Sequence, residues 1–391
     1  MVYLHIPFCK SFCTYCAFYS ELFSPELASR YEAAVKAEIH SRQQEIRSTL
    51  SIPTLYLGGG TPSVLPPAVL QRIVETVAEV TGGKYQEFTM ELNPDDVTPD
   101  YAVFLKALGV TRVSMGIQSF DADVLARMHR RHTAEGARRA FLCLREAGFE
   151  NISVDLIYGV GCPVGAGHDA RHGRSSLGAD LDALLSLPGG PPEHISAYQL
   201  SIEEGSLLYD RVSQGYYAEC PEEEAEQQYH TVCARLREAG YEHYEISNFA
   251  AMAGPSGPAG SSPYRAVHNS AYWTGAPYVG LGPAAHSYDG ERRSWNPSDT
   301  EAYIRHQTGL SDDGRPGSEL LTPSQRAMER VMLSLRTSDG IPEAELRRLS
   351  GDTRVDALLR RAYLEKSRIN ANLRIPEQHG FISDTIIAEL V

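Results

Sequence analysis

The 391-residue chain has no apolar run long enough to span a membrane. It also lacks a basic excess, since 36 lysines and arginines stand against 50 aspartates and glutamates, a net charge of −14. Nucleic-acid binding needs a basic surface, so this balance argues against a nucleic-acid partner. No basic segment precedes the apolar start, which does not resemble a signal peptide. The seven cysteines are an odd number, so we expect reduced thiols in a cytoplasmic protein rather than a disulfide framework.

Three of the seven cysteines fall within eight residues, at Cys9, Cys13 and Cys16. Chance produces such a CX3CX2C pattern about 0.002 times in a chain of this length and cysteine content. A structural zinc site generally takes four ligands from two separated pairs, and no second pair is present. Three soft thiolates on one segment suit an iron–sulfur cube whose fourth iron stays open. The spacing therefore favours a [4Fe–4S] cluster, with structural zinc and a plain cysteine-rich turn as alternatives.

Apolar runs alternate with helical patterns over the first 200 residues. The apolar runs predict buried parallel strands at 2–6, 54–57, 88–92, 112–117, 152–158 and 194–200. The helical patterns lie at 25–46, 66–80, 100–108, 134–147 and 177–187. Six βα units predict an α/β barrel, complete or incomplete, with functional side chains at the carboxyl ends of its strands.

Two segments rich in glycine and polar residues, 161–176 and 251–263, are predicted to be loops. We expect one domain over residues 1–250, a connecting region over 251–317 and a small α+β domain over 318–391. The pattern of this last domain is similar to a winged helix.

Polar and glycine residues stand at the predicted strand ends. Consecutive glycines in Gly58-Gly59-Gly60-Thr61 allow close backbone approach, and their amides can bind an anionic group; an ordinary tight turn is the alternative. Four other residues are suited to an amino-acid moiety and a ribose, although each alone is more often structural: Glu91, Gln118, Arg130 and Asp155.

The segment His268-Asn269-Ser270-Ala271-Tyr272-Trp273 contains one of the two tryptophans. An imidazole beside aromatic rings suits a flat macrocycle, with the imidazole as axial ligand. A buried histidine under an aromatic lid is the alternative, which the residue types alone favour. His286 is a second candidate with the same alternative.

Together these motifs resemble radical S-adenosylmethionine (SAM) proteins of the oxygen-independent coproporphyrinogen oxidase group. The resemblance is carried by YLHIPFC leading into CX3CX2C, GGGTP at 58–62, ELNP at 91–94, SMGIQSFD at 114–121 and DLIYG at 155–159. It covers nearly the whole chain. It implies an α/β fold: an incomplete (β/α)6 TIM-like radical SAM barrel with a small α+β, winged-helix-like C-terminal domain.

Two branches of that group differ at one position near the cluster motif. The oxidases carry a further cysteine two residues after the third, where this chain has Phe18. The HemW family of heme chaperones lacks that cysteine and carries an HNxxYW motif, which this chain has at 268–273. The chain therefore resembles the HemW family. The alternative is an oxygen-independent coproporphyrinogen III oxidase, which forms protoporphyrinogen IX by oxidative decarboxylation and which the missing cysteine disfavours.

The resemblance implies three cofactors: a [4Fe–4S] cluster on Cys9, Cys13 and Cys16, SAM chelated by the open iron, and heme. The implied SAM contacts are Tyr3, Tyr15, Gly59, Gly60, Thr61, Glu91, Gln118, Arg130 and Asp155. The implied heme contacts are His268, Asn269, Tyr272 and Trp273. The implied partners are heme and apo-hemoproteins, including membrane-associated respiratory cytochromes. A homodimer, a peripheral membrane location and a catalytic use of SAM are left open.

Overall fold

The computed structural model describes residues 1–164, 174–252, 262–367 and 370–391. Most of the predicted loops 161–176 and 251–263 therefore lies outside the described residues. Their described ends contain a short strand at Cys162–Pro163, the start of a helix at Arg174 and the end of a strand at Ala251.

The described chain alternates strands and helices. The strands are β1 (Val2–Ile6), β2 (Phe8–Cys9), β3 (Glu21–Leu22), β4 (Thr54–Gly59), β5 (Glu87–Leu92), β6 (Arg112–Gln118), β7 (Ile152–Tyr158), β8 (Cys162–Pro163), β9 (His194–Gln199), β10 (Tyr217–Ala218), β11 (Tyr241–Glu245), β12 (Asn248–Ala251), β13 (Val279–Leu281), β14 (His286–Tyr288), β15 (Arg292–Trp295), β16 (Gly317–Leu320), β17 (Glu365–Lys366) and β18 (Leu373–Arg374). The α-helices are α1 (Pro25–Ser41), α2 (Gln43–Ser48), α3 (Pro67–Thr81), α4 (Pro99–Ala107), α5 (Ala122–Arg127), α6 (Ala134–Glu146), α7 (Arg174–Leu185), α8 (Leu207–Ser213), α9 (Glu222–Glu238), α10 (Val267–Trp273), α11 (Thr300–Gln307), α12 (Pro323–Leu335), α13 (Glu343–Ser350), α14 (Asp352–Arg360) and α15 (Ser383–Ala388).

The central sheet has the strand order β11-β12-β9-β7-β6-β5-β4-β1-β13 in the described part of the chain. The strands from β13 to β9 are parallel, whereas β12 and β11 run antiparallel to the strands beside them. The predicted α/β fold and its six parallel strands in sequence order are confirmed. No hydrogen-bonded pairing joins β11 to β13 among the described strands.

The apolar faces of the connecting helices bury against one face of this sheet. Core residues from α1, α3 and α6 pack with alternate residues of the strands, including Tyr31, Ile73, Phe141, Leu4, Leu57 and Met115. Because successive strand residues point to opposite faces, the residues between them face the interior of the incomplete barrel. The predicted helix over 25–46 is broken at Arg42, whose φ of −100° and ψ of 15° separate α1 from α2.

A second core forms near the C-terminus. It joins Val331 and Leu335 of α12 with residues of α13, α14 and α15. The antiparallel pair of β17 and β18 lies beside these helices and completes an α+β unit. The predicted domain boundaries stay predictions. One strand of the predicted connecting region, β13, pairs with β1 of the central sheet. Among the described helices, none is both long and apolar enough to cross a bilayer.

Candidate functional site

The three clustered cysteines follow the carboxyl end of β1. Cys9 is the second residue of β2, and Cys13 and Cys16 lie in the turns that come next, where all three side chains are half-buried. The Thr14 amide donates to Met128 O at 3.2 Å, and the Thr14 hydroxyl donates to Arg127 O at 3.0 Å. These bonds fix the cysteine segment against the carboxyl end of α5 and the residue that follows it.

The glycine-rich loop after β4 lies directly against the cysteine segment. The Gly60 amide donates to Ile6 O at 2.9 Å, and the Thr61 amide donates to Phe8 O at 2.7 Å. A Cβ atom at residue 60 would lie 2.8 Å from Phe8 O, which is closer than real Cβ atoms approach backbone. Close backbone approach therefore requires glycine at this position. Thr61 Oγ1 lies 3.5 Å from Cys9 Sγ, so the loop also contacts a cysteine side chain.

The thiols lie in a partly desolvated environment beside one cation. Burial raises the pKa of Cys9, and burial raises the pKa of Cys16 to about 11. Arg130 Nη1 donates to Cys13 Sγ at 3.2 Å, and Arg130 Nη2 donates to Gly116 O at 2.6 Å. A guanidinium held at this distance offsets the negative charge of thiolates and of any cluster that they bind.

The spacing of the three sulfurs differs from that of a single-ion site. Among the described residues, Cys233, His243 and Glu377 form a group of three possible metal ligands, because their ligand atoms all lie within 4.8 Å of one another. Cys9, Cys13 and Cys16 are not such a group. One zinc ion with Zn–S bonds near 2.3 Å would bring its sulfurs to about 3.8 Å from one another. A cube, in which each thiolate binds a different iron, does not require the three sulfurs to converge on one ion.

Polar side chains line the barrel interior above the apolar core. Tyr3 stands beside Tyr56 in the strand register, and the Tyr56 hydroxyl donates to Glu91 Oε1 at 2.8 Å. On the next strands, the Ser114 hydroxyl donates to Asp155 Oδ1 at 3.3 Å. The structure thus brings the predicted Tyr3, Glu91 and Asp155 to one interior face.

Burial governs the charge of the two interior carboxyl groups. Burial raises the pKa of Glu91 to about 7 and raises the pKa of Asp155. The positive charge of Arg112, a side chain only 1% exposed, acts in the opposite direction on both. A ligand that donates hydrogen bonds or carries positive charge would stabilise the ionised carboxylates.

Gln118 ends β6 in a strained conformation. Its φ is 70°, in the left-handed region that favours glycine, and the register between β6 and β7 shifts between Gly116 and Gln118. The side chain is 8% exposed. Strained non-glycine residues concentrate at ligand sites, where the surrounding structure holds them in place. Burial also raises the pKa of Tyr15, which lies near Cys13, Cys16 and Arg130.

Sequence reasoning missed three residues of this interior: Tyr56, Arg112 and Tyr198. Tyr198 stands at the carboxyl end of β9, 41% exposed, and the charges of Asp155 and Glu91 reach its hydroxyl. The missed signal is the alternation of apolar and polar residues within each strand. In a strand every second residue points to the same face, so the polar residues of this alternation are the ones that face the barrel interior. The prediction of uniformly buried strands did not use this alternation.

The HNxxYW motif forms α10, away from the cysteines. The Val267 and His268 amides donate to the Glu87 carboxylate at 2.8 and 3.0 Å. The His268 ring, 1% exposed, has Nδ1 2.7 Å from Thr54 Oγ1 and Nε2 2.9 Å from the Tyr272 hydroxyl. Thr54 and Glu87 begin β4 and β5, so α10 lies at the amino ends of the strands, whereas the cysteines follow a carboxyl end.

The residues of the HNxxYW motif differ in whether they are enclosed by the protein or line a cavity. Burial lowers the pKa of His268 to about 3, so its imidazole is neutral. Tyr272 and Trp273 line a cavity of about 520 Å³, while His268 and Asn269 are not among its lining residues. His286, the second candidate histidine, is exposed and stacks on Trp295 with ring centroids 5.9 Å apart.

The fold has counterparts among known proteins. Residues 3–161 match the radical SAM superfamily, which defines the class. Over its full length the chain superposes on 89% of coproporphyrinogen III oxidase (HemN) from Escherichia coli, with a TM-score of 0.77 and 19% identity, which shows the fold.

Sequence similarity to curated proteins is closer. The chain is 30% identical to the heme chaperone HemW of Bacillus subtilis over 87% of this chain and 84% of that protein. It is 32% identical to the heme chaperone HemW of Mycobacterium tuberculosis over 88% of this chain and 83% of that protein. The chain belongs to the HemW family.

Proposed function

We propose that the chain is a heme chaperone that carries a [4Fe–4S] cluster and SAM and delivers heme to apo-hemoproteins. The observation that carries the proposal is the convergence of Cys9, Cys13 and Cys16 with the Gly59-Gly60-Thr61 loop at one end of the sheet. Membership of the HemW family supports the heme function.

The cysteines fit the cluster in chemistry and in their CX3CX2C spacing along the sequence. All seven cysteines are free thiols, so no disulfide competes for the three proposed ligands. Cluster binding removes the thiol protons, which burial otherwise retains on Cys9 and Cys16. A cluster held by these residues would, when reduced, supply the electron that cleaves a carbon–sulfur bond of bound SAM. Reduced thiols also support a cytoplasmic location for the chain.

The proposed SAM site takes its groups from several strands. The Gly60 and Thr61 amides already donate to Ile6 O and Phe8 O, so the loop of Gly59, Gly60 and Thr61 would contact SAM through its glycine backbone and the Thr61 hydroxyl. The guanidinium of Arg130 has further N–H donors for a carboxylate. Glu91 and Asp155 offer acceptors to ammonium and hydroxyl groups. Three further side chains, each partly or fully buried beside these groups, complete the proposed set: Tyr3, Tyr15 and Gln118.

For heme, the contacts that the family resemblance implies stay proposed: His268, Asn269, Tyr272 and Trp273. Of these, Tyr272 and Trp273 line the cavity, and His268 contacts the Tyr272 hydroxyl. The alternative, coproporphyrinogen III oxidase activity, has less support because Phe18 replaces the further cysteine of the oxidases. The Phe18 side chain is 77% exposed and cannot supply a ligand.

The test is anaerobic reconstitution of the full chain with iron and sulfide, followed by parallel titrations with SAM and heme. We expect both to bind, and we expect heme-loaded protein to convert an apo-hemoprotein into its heme form. Anaerobic turnover of coproporphyrinogen III with consumption of SAM, without heme transfer, would instead establish the alternative.

A further inference from the structure

A cavity of about 520 Å³ lies between α10 and α12. Its volume falls within the range of small-molecule and cofactor sites. One side consists of aromatic side chains from the end of α10, the residue before β13 and the end of β14: Tyr272, Trp273, Tyr278 and Tyr288. The other side is a single face of α12, formed by Arg326, Glu329, Arg330 and Leu333, with Arg293 of β15 beside it.

The aromatic side offers a broad apolar surface. Tyr272 and Tyr278 meet edge to face, with ring centroids 4.7 Å apart, and Tyr278 contacts Tyr288. The indole Nε1 of Trp273 is buried without a hydrogen-bond partner. Buried unpaired donors are rare in folded proteins, and a ligand is one established reason for them. Aromatic rings of this kind pack well against a large planar ligand.

The α12 side offers positive charge. Its lining contains three guanidinium groups and one carboxylate, Glu329, a net charge of +2. Residues 326, 329, 330 and 333 recur at helical spacing, so they share one face of α12. Guanidinium groups bind carboxylates in bidentate geometry, and this side of the cavity therefore favours a ligand with two carboxylates.

Each arginine already has a carboxylate neighbour. Arg293 Nη2 lies 3.0 Å from Glu329, Arg326 Nη1 lies 2.9 Å from Glu291, and Arg330 Nε lies 3.1 Å from Glu345. These arginine side chains are 35 to 39% exposed, and exposed pairs contribute about 0–1 kcal/mol. Arg326 and Arg330 can therefore release Glu291 and Glu345 and bind ligand carboxylates at a small cost in free energy. Each guanidinium also has further N–H donors.

We propose that this cavity binds a planar tetrapyrrole, with the ring against Tyr272, Trp273, Tyr278 and Tyr288 and the carboxylates on Arg326 and Arg330. The inference rests on the proposed heme function and gives it a location. It also assigns His268 a positioning role. His268 does not line the cavity, and its Nε2 instead holds the Tyr272 hydroxyl at 2.9 Å.

The test compares iron protoporphyrin IX with its dimethyl ester, both delivered in the same detergent, by absorbance titration of the full chain. We expect esterification to weaken binding to the wild-type chain at least tenfold. The Arg326→Gln/Arg330→Gln variant should bind heme at least tenfold more weakly than the wild type. Its affinities for heme and for the ester should lie within about threefold of each other. The expected tenfold change corresponds to about 1.4 kcal/mol for the lost charge-assisted bonds.

A matched control removes two cationic charges elsewhere. Arg139→Gln/Arg360→Gln changes exposed arginines of α6 and α14 and should leave heme affinity unchanged. Thermal unfolding, cluster content and SAM affinity should be the same in both double variants, which separates a lost site from a lost fold. Equal heme affinity in Arg326→Gln/Arg330→Gln and wild type, or equal binding of heme and ester, would overturn this site. Absence of heme binding by the wild-type chain would overturn the proposed function itself.

Discussion

Replacing Gly60 with alanine places a methyl group between the glycine-rich loop and the cysteine segment. The new Cβ would lie 2.8 Å from Phe8 O and 2.9 Å from the carbonyl carbon of Pro7. Optimal contact is about 3.5 Å, so the two backbone segments must separate by about 0.7 Å. That shift lengthens the bonds from Gly60 N to Ile6 O and from Thr61 N to Phe8 O beyond good geometry.

These contacts determine how much the Gly60→Ala substitution destabilises the fold. Overpacking of this kind lowers the free energy of unfolding by about 1–3 kcal/mol, and this figure includes the loss from the two weakened hydrogen bonds. Because the strain displaces the backbone of Cys9 relative to the other two thiols, we expect cluster content to fall by at least half. We also expect SAM affinity to fall at least tenfold, since 1.4 kcal/mol corresponds to a factor of ten.

The assay measures iron, acid-labile sulfide and SAM affinity after anaerobic reconstitution, together with urea unfolding. Gly178→Ala is the matched control, because it adds the same methyl group inside α7, where the new Cβ would meet no described heavy atom within 4 Å apart from the neighbouring helix backbone. That change should stabilise the chain by up to about 1 kcal/mol. Wild-type cluster content and SAM affinity in Gly60→Ala would refute the close contact between the two segments.

Two other substitutions test charges that the fold has buried. Burial raises the pKa of Glu245 to about 7, so its contribution to stability is complete below about pH 4.5 and is lost as pH rises through 7. Between pH 5 and pH 8 the wild-type chain should therefore lose roughly 1–3 kcal/mol of unfolding free energy that the Glu245→Gln variant does not lose. Urea unfolding of both proteins at both pH values measures this difference, and the same pH dependence in both would contradict the pKa shift. Arg130→Gln removes the cation beside Cys13 and should weaken SAM binding at least tenfold, measured by equilibrium dialysis of cluster-loaded protein, whereas Arg139→Gln on exposed α6 should not. Equal SAM affinity in Arg130→Gln and wild type would exclude Arg130 from the SAM site.

Local sequence patterns located the parallel strands well. The predicted strand at 152–158 coincides with β7, and the one at 2–6 coincides with β1. Strands of a parallel sheet covered by helices are rich in apolar residues, which gives short apolar runs that stand out from the flanking helices. The cysteine spacing and the glycine loop were equally visible, because each is a short contiguous pattern.

Contacts between distant segments were not predictable in this way. β13 contains only three residues, and its pairing with β1 depends on a separation of more than 270 residues. The position of α10 at the amino ends of β4 and β5 depends on Thr54 and Glu87, which carry no local signal for a histidine partner. The cavity between α10 and α12 combines two segments that the sequence assigns to different regions.

The most direct test is to measure iron and sulfide in the full chain after anaerobic reconstitution. The wild-type chain should acquire about four iron atoms and four sulfides, and Cys9→Ala/Cys13→Ala/Cys16→Ala should acquire neither. A control with the same number of removed thiols, Cys143→Ala/Cys162→Ala/Cys220→Ala, should match the wild type, since these cysteines lie outside the cluster motif. Iron and sulfide in the first triple variant, or their absence from the wild-type chain, would contradict the proposed cluster site.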